Sequence, residues 1–293
     1  MDCWICDSHD LILRRASEVR VDELDSRSFA VTDDHYGRVG AIYACQSCGF
    51  LQCPSLGDVL PHYQELVDTD YEAGRDSRAL QARRLLQELA PWKTSGRLLD
   101  VGAGSGILVE EARRLGFEAE GIEPSRWFQE QARARGLPVH LGTLPHPSVT
   151  GGFDVVALVD VIEHVPNPRA LLAQAVACLA LGGIVVVVTP DVSSLAAKAL
   201  GPRWWHYRVA HIGYFNRQTL TRALGSAGLS PLSFQRPSWY FPASYLAQRV
   251  GRYLPPVRPL ARLAGPWLER VVVPLNLRDS WFVVAKKQGH AAS

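Results

Sequence analysis

Arg97-Leu-Leu-Asp-Val-Gly-Ala-Gly-Ser-Gly106 is the stretch on which the fold of this 293-residue chain turns. Leu98, Leu99 and Val101 make a short apolar run suited to a buried parallel strand, and glycines at 102, 104 and 106 end it at once. Behind them Ile107, Leu108, Ala112 and Leu115 recur at helical spacing among Glu110, Glu111, Arg113 and Arg114, up to a capping Gly116. Glycine is needed where the backbone turns tightly with positive φ and a ligand must reach main-chain atoms with no Cβ in the way. The stretch therefore reads as a nucleoside-type binding turn.

The spacing narrows the ligand. A dinucleotide fingerprint, G-x-G-x-x-G, would place its third glycine at 107, where the chain has Ile107. Asp100, just before the turn, would repel a pyrophosphate and attract a ligand that carries an amino group and a sulfonium.

From Arg97 onward strands and helices alternate, the pattern of a doubly wound α/β sheet. Strands are predicted at 97–101, 118–122, 139–141, 153–159, 184–188, 229–235 and 280–286, seven in all. Helices are predicted at 125–135, 169–181 (ending at Gly182-Gly183) and 219–227. A helix over 75–90 precedes the first strand, with Ala79, Leu80, Leu85, Leu86 and Leu89 inward and Arg78, Arg83, Arg84 and Glu88 outward. Before it, 56–66 reads as a helix interrupted by Pro61.

Three further segments carry chemistry. Glu123, at the end of the second strand, is placed to accept hydrogen bonds from both ribose hydroxyls, its structural alternative being an acid favoured by a helix dipole. Gly142-Thr143 follows the third strand. The fourth strand ends in Asp160-Val-Ile-Glu-His-Val165, at the carboxyl edge where open α/β sheets bind ligands. Glu163 and His164 are an ionisable pair there and candidates for a general base, or else simply cap the next turn.

Together these motifs resemble the class I S-adenosylmethionine-dependent methyltransferases over residues 75 to 290. The resemblance implies a seven-stranded, mostly parallel, Rossmann-like sheet. It implies cofactor contacts from Asp100, Gly102, Ala103, Gly104 and Gly106, from Glu123 and Pro124, from Thr143, and from Asp160 and Val161. Thr143 stands where family members often carry an acid near the adenine amino group. The aromatic segment Trp204-Trp-His-Tyr-Arg-Val-Ala-His-Ile-Gly-Tyr-Phe215 follows the fifth strand, where this family inserts acceptor-binding elements. Residues 190–216 are thus expected to lid the pocket, with His211 as a second candidate base; packing of a long connection is the alternative.

Cys3-x-x-Cys6 and Cys45-x-x-Cys48 match a structural zinc site, each pair offering two thiolates from one tight turn, with Cys53 as a spare or a replacement ligand. Residues 1–54 are therefore expected to form a zinc-ribbon-like module with strands near 20–24 and 39–43, and 55–96 a helical linker onto the domain at 97–293. Cysteine pairs ahead of a methyltransferase resemble a bacterial group that includes sugar C-methyltransferases, which are longer at the C-terminus than this chain.

Composition bounds the rest. Apolar residues at 47% and charged residues at 20% fit neither a disordered nor a fibrous chain, and no apolar run is long enough to span a membrane, so a cytoplasmic protein is expected. The net charge of +2 hides an asymmetry: residues 201–293 hold eleven Arg and two Lys against Glu269 and Asp279. Either arginine is simply abundant, or this end attracts an anionic substrate or membrane surface. Within 239–275, Tyr245, Leu246, Val250, Leu254, Leu260, Leu263, Trp267 and Leu268 interleave with Arg249, Arg252, Arg258, Arg262 and Arg270, and prolines at 255, 256 and 259 divide the segment into two short helices. That hairpin suits peripheral membrane contact, a homodimer surface or a pocket wall. The expected reaction is O-methylation of a small-molecule, glycan or lipid-linked acceptor. C- or N-methylation of a sugar, nucleic-acid methylation and non-catalytic binding are the alternatives. The Asn-Pro-Pro-Tyr signature of base amino-group methylation is missing after the fourth strand, which disfavours a nucleic-acid acceptor.

Overall fold

The computed structural model describes residues 1–33, 35–253, 268 and 271–288. At the N-terminus, strand β1 (Leu11–Arg15) pairs antiparallel with β2 (Ile42–Cys45), and β2 with the short β3 (Leu51–Gln52). The strand expected at 20–24 is instead a 3-10 turn, Val21–Glu23. The Leu24 N–H closes back on the Val21 carbonyl, which uses these groups in a local turn, and β2 takes its antiparallel partner from Leu11–Arg15.

Helices α1 (Leu60–Gln64) and α2 (Thr69–Ala73) lead into α3 (Arg75–Leu89). Pro61 lies in the first turn of α1, where a missing N–H costs nothing, so it starts that helix rather than interrupting it. The core unit comes next as β4 (Gly96–Val101), α4 (Ile107–Arg114), β5 (Phe117–Glu123), α5 (Arg126–Ala134), β6 (Val139–Leu141), β7 (Phe153–Val159), α6 (Pro168–Ala177) and β8 (Leu179–Pro190). Then come α7 (Leu195–Leu200), β9 (Gly213–Tyr214), α8 (Arg217–Ser226), β10 (Leu229–Gln235), β11 (Trp239–Pro242), α9 (Ala243–Tyr253), β12 (Val272–Leu275) and β13 (Ser280–Lys287).

The central seven-stranded sheet runs β10-β13-β8-β7-β4-β5-β6, and β13 is antiparallel to both of its neighbours. Its middle strands are apolar on both faces because both faces are covered. Leu99, Val156, Leu158, Val185 and Val187 bury on one side, while Leu98, Val155, Ile184, Val186 and Val188 bury on the other. This is the expected Rossmann-like sheet.

One boundary differs from expectation. The helix predicted over 169–181 stops at Ala177, and Gly182-Gly183 lies inside the long strand β8. Leu181 is fully exposed there, and the β7–β8 register slips between Phe153 and Val155. A Cβ on Gly183 would come within 2.8 Å of the Phe153 carbonyl oxygen, so the glycines serve a bulge and not a helix cap.

The N-terminal strands do not stand apart. β3 pairs with β9, so the four-stranded sheet β1-β2-β3-β9 takes its last strand from the segment expected to act as a lid. In the 239–275 segment, β11 pairs with β12 and α9 supplies the first expected helix; β11 itself is not among the expected strands. The second helix, with Leu254, Leu260, Leu263, Trp267, Arg258, Arg262 and Arg270, lies outside the described residues. No helix among the described residues is long and apolar enough to cross a membrane.

Close packing of β5 against the glycine turn sets the site's geometry. A Cβ on Gly121 would fall 2.5 Å from Ala103 Cβ and 3.1 Å from Val109 Cγ2. Gly121→Ala is expected to destabilise the protein by about 1–3 kcal/mol, as overpacked cores do; a urea midpoint equal to wild type would show that the turn yields freely.

Candidate active site

The carboxyl ends of β4, β5 and β7 open into one cavity of about 880 Å³. Asp100, Gly102, Ala103 and Gly104 line it from the turn after β4, Glu123 and Pro124 from the end of β5, Thr143 from beyond β6, and Asp160 and Val161 from the end of β7. Gly102 has φ +73°, and a Cβ there would meet Val161 Cγ2 at 2.7 Å. Glu123 ties the turn down: one carboxylate oxygen accepts the Gly104 N–H and the other the Ser125 N–H, both at 2.8 Å. Gly106 departs from expectation. It does not line the cavity; it adopts φ +77° where the chain enters α4, with Leu137 Cδ1 2.8 Å from the place of a Cβ, so its role is packing.

Two residues to which the sequence pattern gives no site role join this half. Tyr71 lines the cavity edge-on to Phe128 at 5.0 Å, and the Arg78 guanidinium lies 4.0 Å above the Tyr71 ring. Periodicity puts Arg78 on the outer face of α3. That face is covered by the cavity, and Arg78 Nε is buried without a hydrogen-bond partner. A helix pattern separates apolar from polar faces, but it does not separate solvent from a ligand cavity.

Burial governs protonation here. Desolvation pushes the Asp100 carboxyl up to about 8, with the nearby Glu123 charge adding to the push, and raises Glu123 to about 7 and Asp160 to about 7. Asp160 also holds φ +52°, a left-handed conformation uncommon outside glycine.

Further along the cavity wall His164 and His211 meet with perpendicular rings, centroids 4.7 Å apart. His164 Nδ1 lies 2.8 Å from the Ala210 carbonyl oxygen and 2.7 Å from the Tyr63 hydroxyl. A carbonyl only accepts, so the network assigns the ring proton to Nδ1 and leaves Nε2 with its lone pair. Nε2 faces Glu163 Oε1 at 3.8 Å, while Glu163 Oε2 accepts the Thr189 hydroxyl at 2.9 Å. Glu163, a candidate catalytic residue in the sequence, is buried behind His164 and does not line the cavity, so it cannot touch a bound ligand directly. His211 Nδ1 is buried without a partner, and its ring stacks on His206 at 5.5 Å. Burial holds the His164 imidazole down to about 3 and His211 well below its ordinary range, so both rings are neutral near pH 7. Glu163, His164 and His211 also bring three donor atoms within 4.8 Å, a set able to hold a divalent cation.

The four N-terminal cysteines converge. Cys3 and Cys48 sulfurs are 3.5 Å apart, as are those of Cys6 and Cys45, and all four lie within 4.8 Å of one another. A tetrahedral ion with Zn–S bonds of about 2.3 Å needs sulfurs about 3.8 Å apart, so the set fits zinc. Cys53 is buried elsewhere, beside Ser55. From this module the chain reaches the site: Phe50 packs on Phe215 at 4.9 Å, and the Cys53 N–H donates to the Ile212 carbonyl. The Ile212 N–H in turn donates to the Glu163 carbonyl. Phe29, Val31, Tyr36 and Tyr63 add a cavity wall from the first 63 residues.

Residues 74–233 match the family described as a methyltransferase domain. The chain belongs to that family. Among curated relatives it is 30% identical over 123 residues to the ubiquinone biosynthesis O-methyltransferase of Bradyrhizobium sp. (strain ORS 278), covering 40% of this chain and 45% of that protein. It is 33% identical over 147 residues to the protein of the same name from Methylobacterium nodulans, covering 45% and 59%. The chain thus spans about half the length of the curated relatives it matches. The structure of a SAM-dependent methyltransferase from Archaeoglobus fulgidus shares the fold, with a TM-score of 0.50 and 19% identity over 75% of this chain and 98% of that one.

A carboxyl protonated in the folded state and ionised in the unfolded state makes the folded state bind more protons between the two pKa values, so stability falls as pH rises across that window. For Asp100 the window runs from 3.8 to about 8. Between about pH 5 and pH 8, inside that window, wild type without added ligand is expected to lose more stability than Asp100→Asn in urea titrations. Parallel stability profiles for the two proteins would show that Asp100 is ionised in the fold.

Proposed function

We propose that this methyltransferase-family chain transfers a methyl group from S-adenosylmethionine to a hydroxyl oxygen of a small-molecule acceptor. The observation that carries the reading is one cavity holding two functions: a carboxyl-lined glycine turn on one wall and two neutral imidazoles on another. The names of the curated relatives, which are O-methyltransferases, support oxygen as the acceptor atom.

Asp100, Gly102, Gly104, Glu123 and Thr143 would hold the cofactor, with Glu123 accepting ribose hydroxyls through the lone pairs that its two N–H partners leave open. The unpartnered Arg78 Nε, beside Tyr71 at the same turn, suits the methionine carboxylate. S-adenosylmethionine supplies a methyl already activated by its sulfonium. The residues of the chain position the acceptor, exclude water and take up the acceptor proton. His164 is held through Nδ1 by Ala210 and Tyr63, which leaves the Nε2 lone pair to take that proton. His211, whose buried Nδ1 has no partner, is a second candidate for the same proton.

In a tritium-transfer screen over phenolic, glycan, lipid and RNA fractions, the label is expected in a small-molecule fraction as an oxygen-linked methyl. Label in carbon, nitrogen or nucleic acid overturns the assignment of the acceptor. His164→Ala is expected to lower kcat by about 10²- to 10⁴-fold with cofactor affinity kept. Asp100→Asn is expected to weaken cofactor binding at least about tenfold by calorimetry. Cofactor affinity unchanged in Asp100→Asn would sink the placement of the cofactor.

The Cys3, Cys6, Cys45 and Cys48 set is proposed as a structural zinc site, on the convergence of its sulfurs. Purified protein is expected to carry stoichiometric zinc, and Cys45→Ser to lose it with a fall in Tm of roughly 5 °C or more, as binding energy of a structural metal is folding energy. Metal analysis that finds no zinc in freshly purified wild type refutes the site.

A further inference from the structure

The acceptor half of the cavity contains a cation to which methyl transfer as proposed gives no role. Arg208, in the segment between α7 and β9, lines the cavity. Its two terminal nitrogens donate to the carbonyl oxygens of Val31, at 3.0 Å, and of Ala30. Its Nε is buried with no hydrogen-bond partner, and among the described residues no carboxylate pairs with it. Carbonyl dipoles fix the guanidinium in place without neutralising it. A half-buried cation with no counter-ion is costly unless something else supplies the negative charge.

Among the described residues none supplies it. Glu163 faces His164 and accepts the Thr189 hydroxyl, and among the described residues neither it nor Asp160 forms an ion pair with Arg208. Asp279 is engaged by the Trp204 indole and His206. Arg249 on α9 adds a second guanidinium to the same half of the cavity, over the rings of Tyr245 at 4.6 Å and Tyr36 at 5.4 Å. Much of the remaining wall is apolar and aromatic, among it Phe29, Tyr63, Trp205, Trp239 and Phe241, while Asp58, which also lines the cavity, accepts the Leu60 N–H at the start of α1. Such a lining selects a ligand with an apolar or aromatic body, and the fixed cation selects a charged group upon it.

We propose that the acceptor carries an anionic group, a carboxylate or a phosphate, on an apolar or aromatic body, and that Arg208 binds that group and thereby sets acceptor specificity. The inference rests on reading this half of the cavity as the acceptor side. It accounts for a part of the positive excess in the last third of the chain, which a solvated surface would not explain at this position.

A matched pair of fluorescent probes tests the proposal without any methyl transfer. 8-Anilinonaphthalene-1-sulfonate and N-phenyl-1-naphthylamine share one aromatic body and differ in the anion. The wild-type protein is expected to bind the sulfonate at least about tenfold more tightly, the difference that one charge-assisted hydrogen-bonded contact makes. Arg208→Gln is expected to erase that preference with affinity for the neutral probe unchanged, and Arg208→Lys to keep most of it. Displacement of the sulfonate probe by 1-naphthoate and by 1-naphthyl phosphate, with neutral 1-naphthol as reference, distinguishes carboxylate from phosphate. A preference that persists in Arg208→Gln, equal loss of both probes, or displacement by 1-naphthol as good as by either anion overturns the proposal. The lysine variant keeps the test decisive if glutamine destabilises the contacts to Ala30 and Val31. Cofactor binding by wild type, followed by calorimetry, is a separate measurement: its failure would remove the methyl-transfer reading and leave the probe result standing.

Discussion

One buried carboxylate, that of Glu123, holds together the two segments on which the site depends. With one oxygen on the Gly104 N–H and the other on the Ser125 N–H, it joins the turn after β4 to the turn after β5. The contact adds to the Gly102 and Ala103 N–H groups, which donate to the Ile122 carbonyl, and to the Ser125 hydroxyl, which caps α5 by accepting the Phe128 N–H. The same carboxylate is desolvated beside Asp100, so its placement sets the charge state of the cofactor wall. Geometry and electrostatics at this wall thus meet in one residue.

A second constraint is the sharing of strands between the N-terminal sheet and the aromatic segment. Because β3 pairs with β9, the cysteine module and the histidine-bearing segment form one sheet. The pairing continues through the Cys53 to Ile212 and Ile212 to Glu163 hydrogen bonds to the backbone beside His164. The module therefore acts as a wall of the cavity. Residues that the sequence divides between a metal-binding unit and a catalytic unit lie within one hydrogen-bonded framework, and a perturbation of the cysteines has a short mechanical route to the imidazoles.

Charge is distributed across the cavity in a consistent way. The cofactor wall presents carboxyls whose ionisation burial resists, which suits a ligand with an ammonium and a sulfonium. Another wall presents neutral imidazoles and a guanidinium anchored by carbonyls. A positively charged ligand on one side and a negatively charged one on the other would neutralise both walls together, and their mutual attraction would favour the encounter of methyl and acceptor.

The amino-acid sequence by itself determined the features that arise from local pattern. The run 97–106 specifies strand, turn and helix because apolar periodicity and positive-φ glycines act within a few residues. Alternating segments to 287 specify the doubly wound sheet by the same means. The cysteine pairs are legible because each is a local turn. Tertiary structure decided everything that depends on residues far apart in the chain. It turned Arg78 from an outward position into a cavity wall, because a helix's polar face does not tell water from ligand. It moved Gly106 from contact to packing and Glu163 from the cavity to the space behind His164, because a motif states order along the chain and not which side chains point inward. It isolated Arg208, whose role emerges only when Ala30 and Val31, more than a hundred residues away, are seen to hold it. Local backbone preference is written in neighbouring residues; burial and charge balance are properties of the assembled whole.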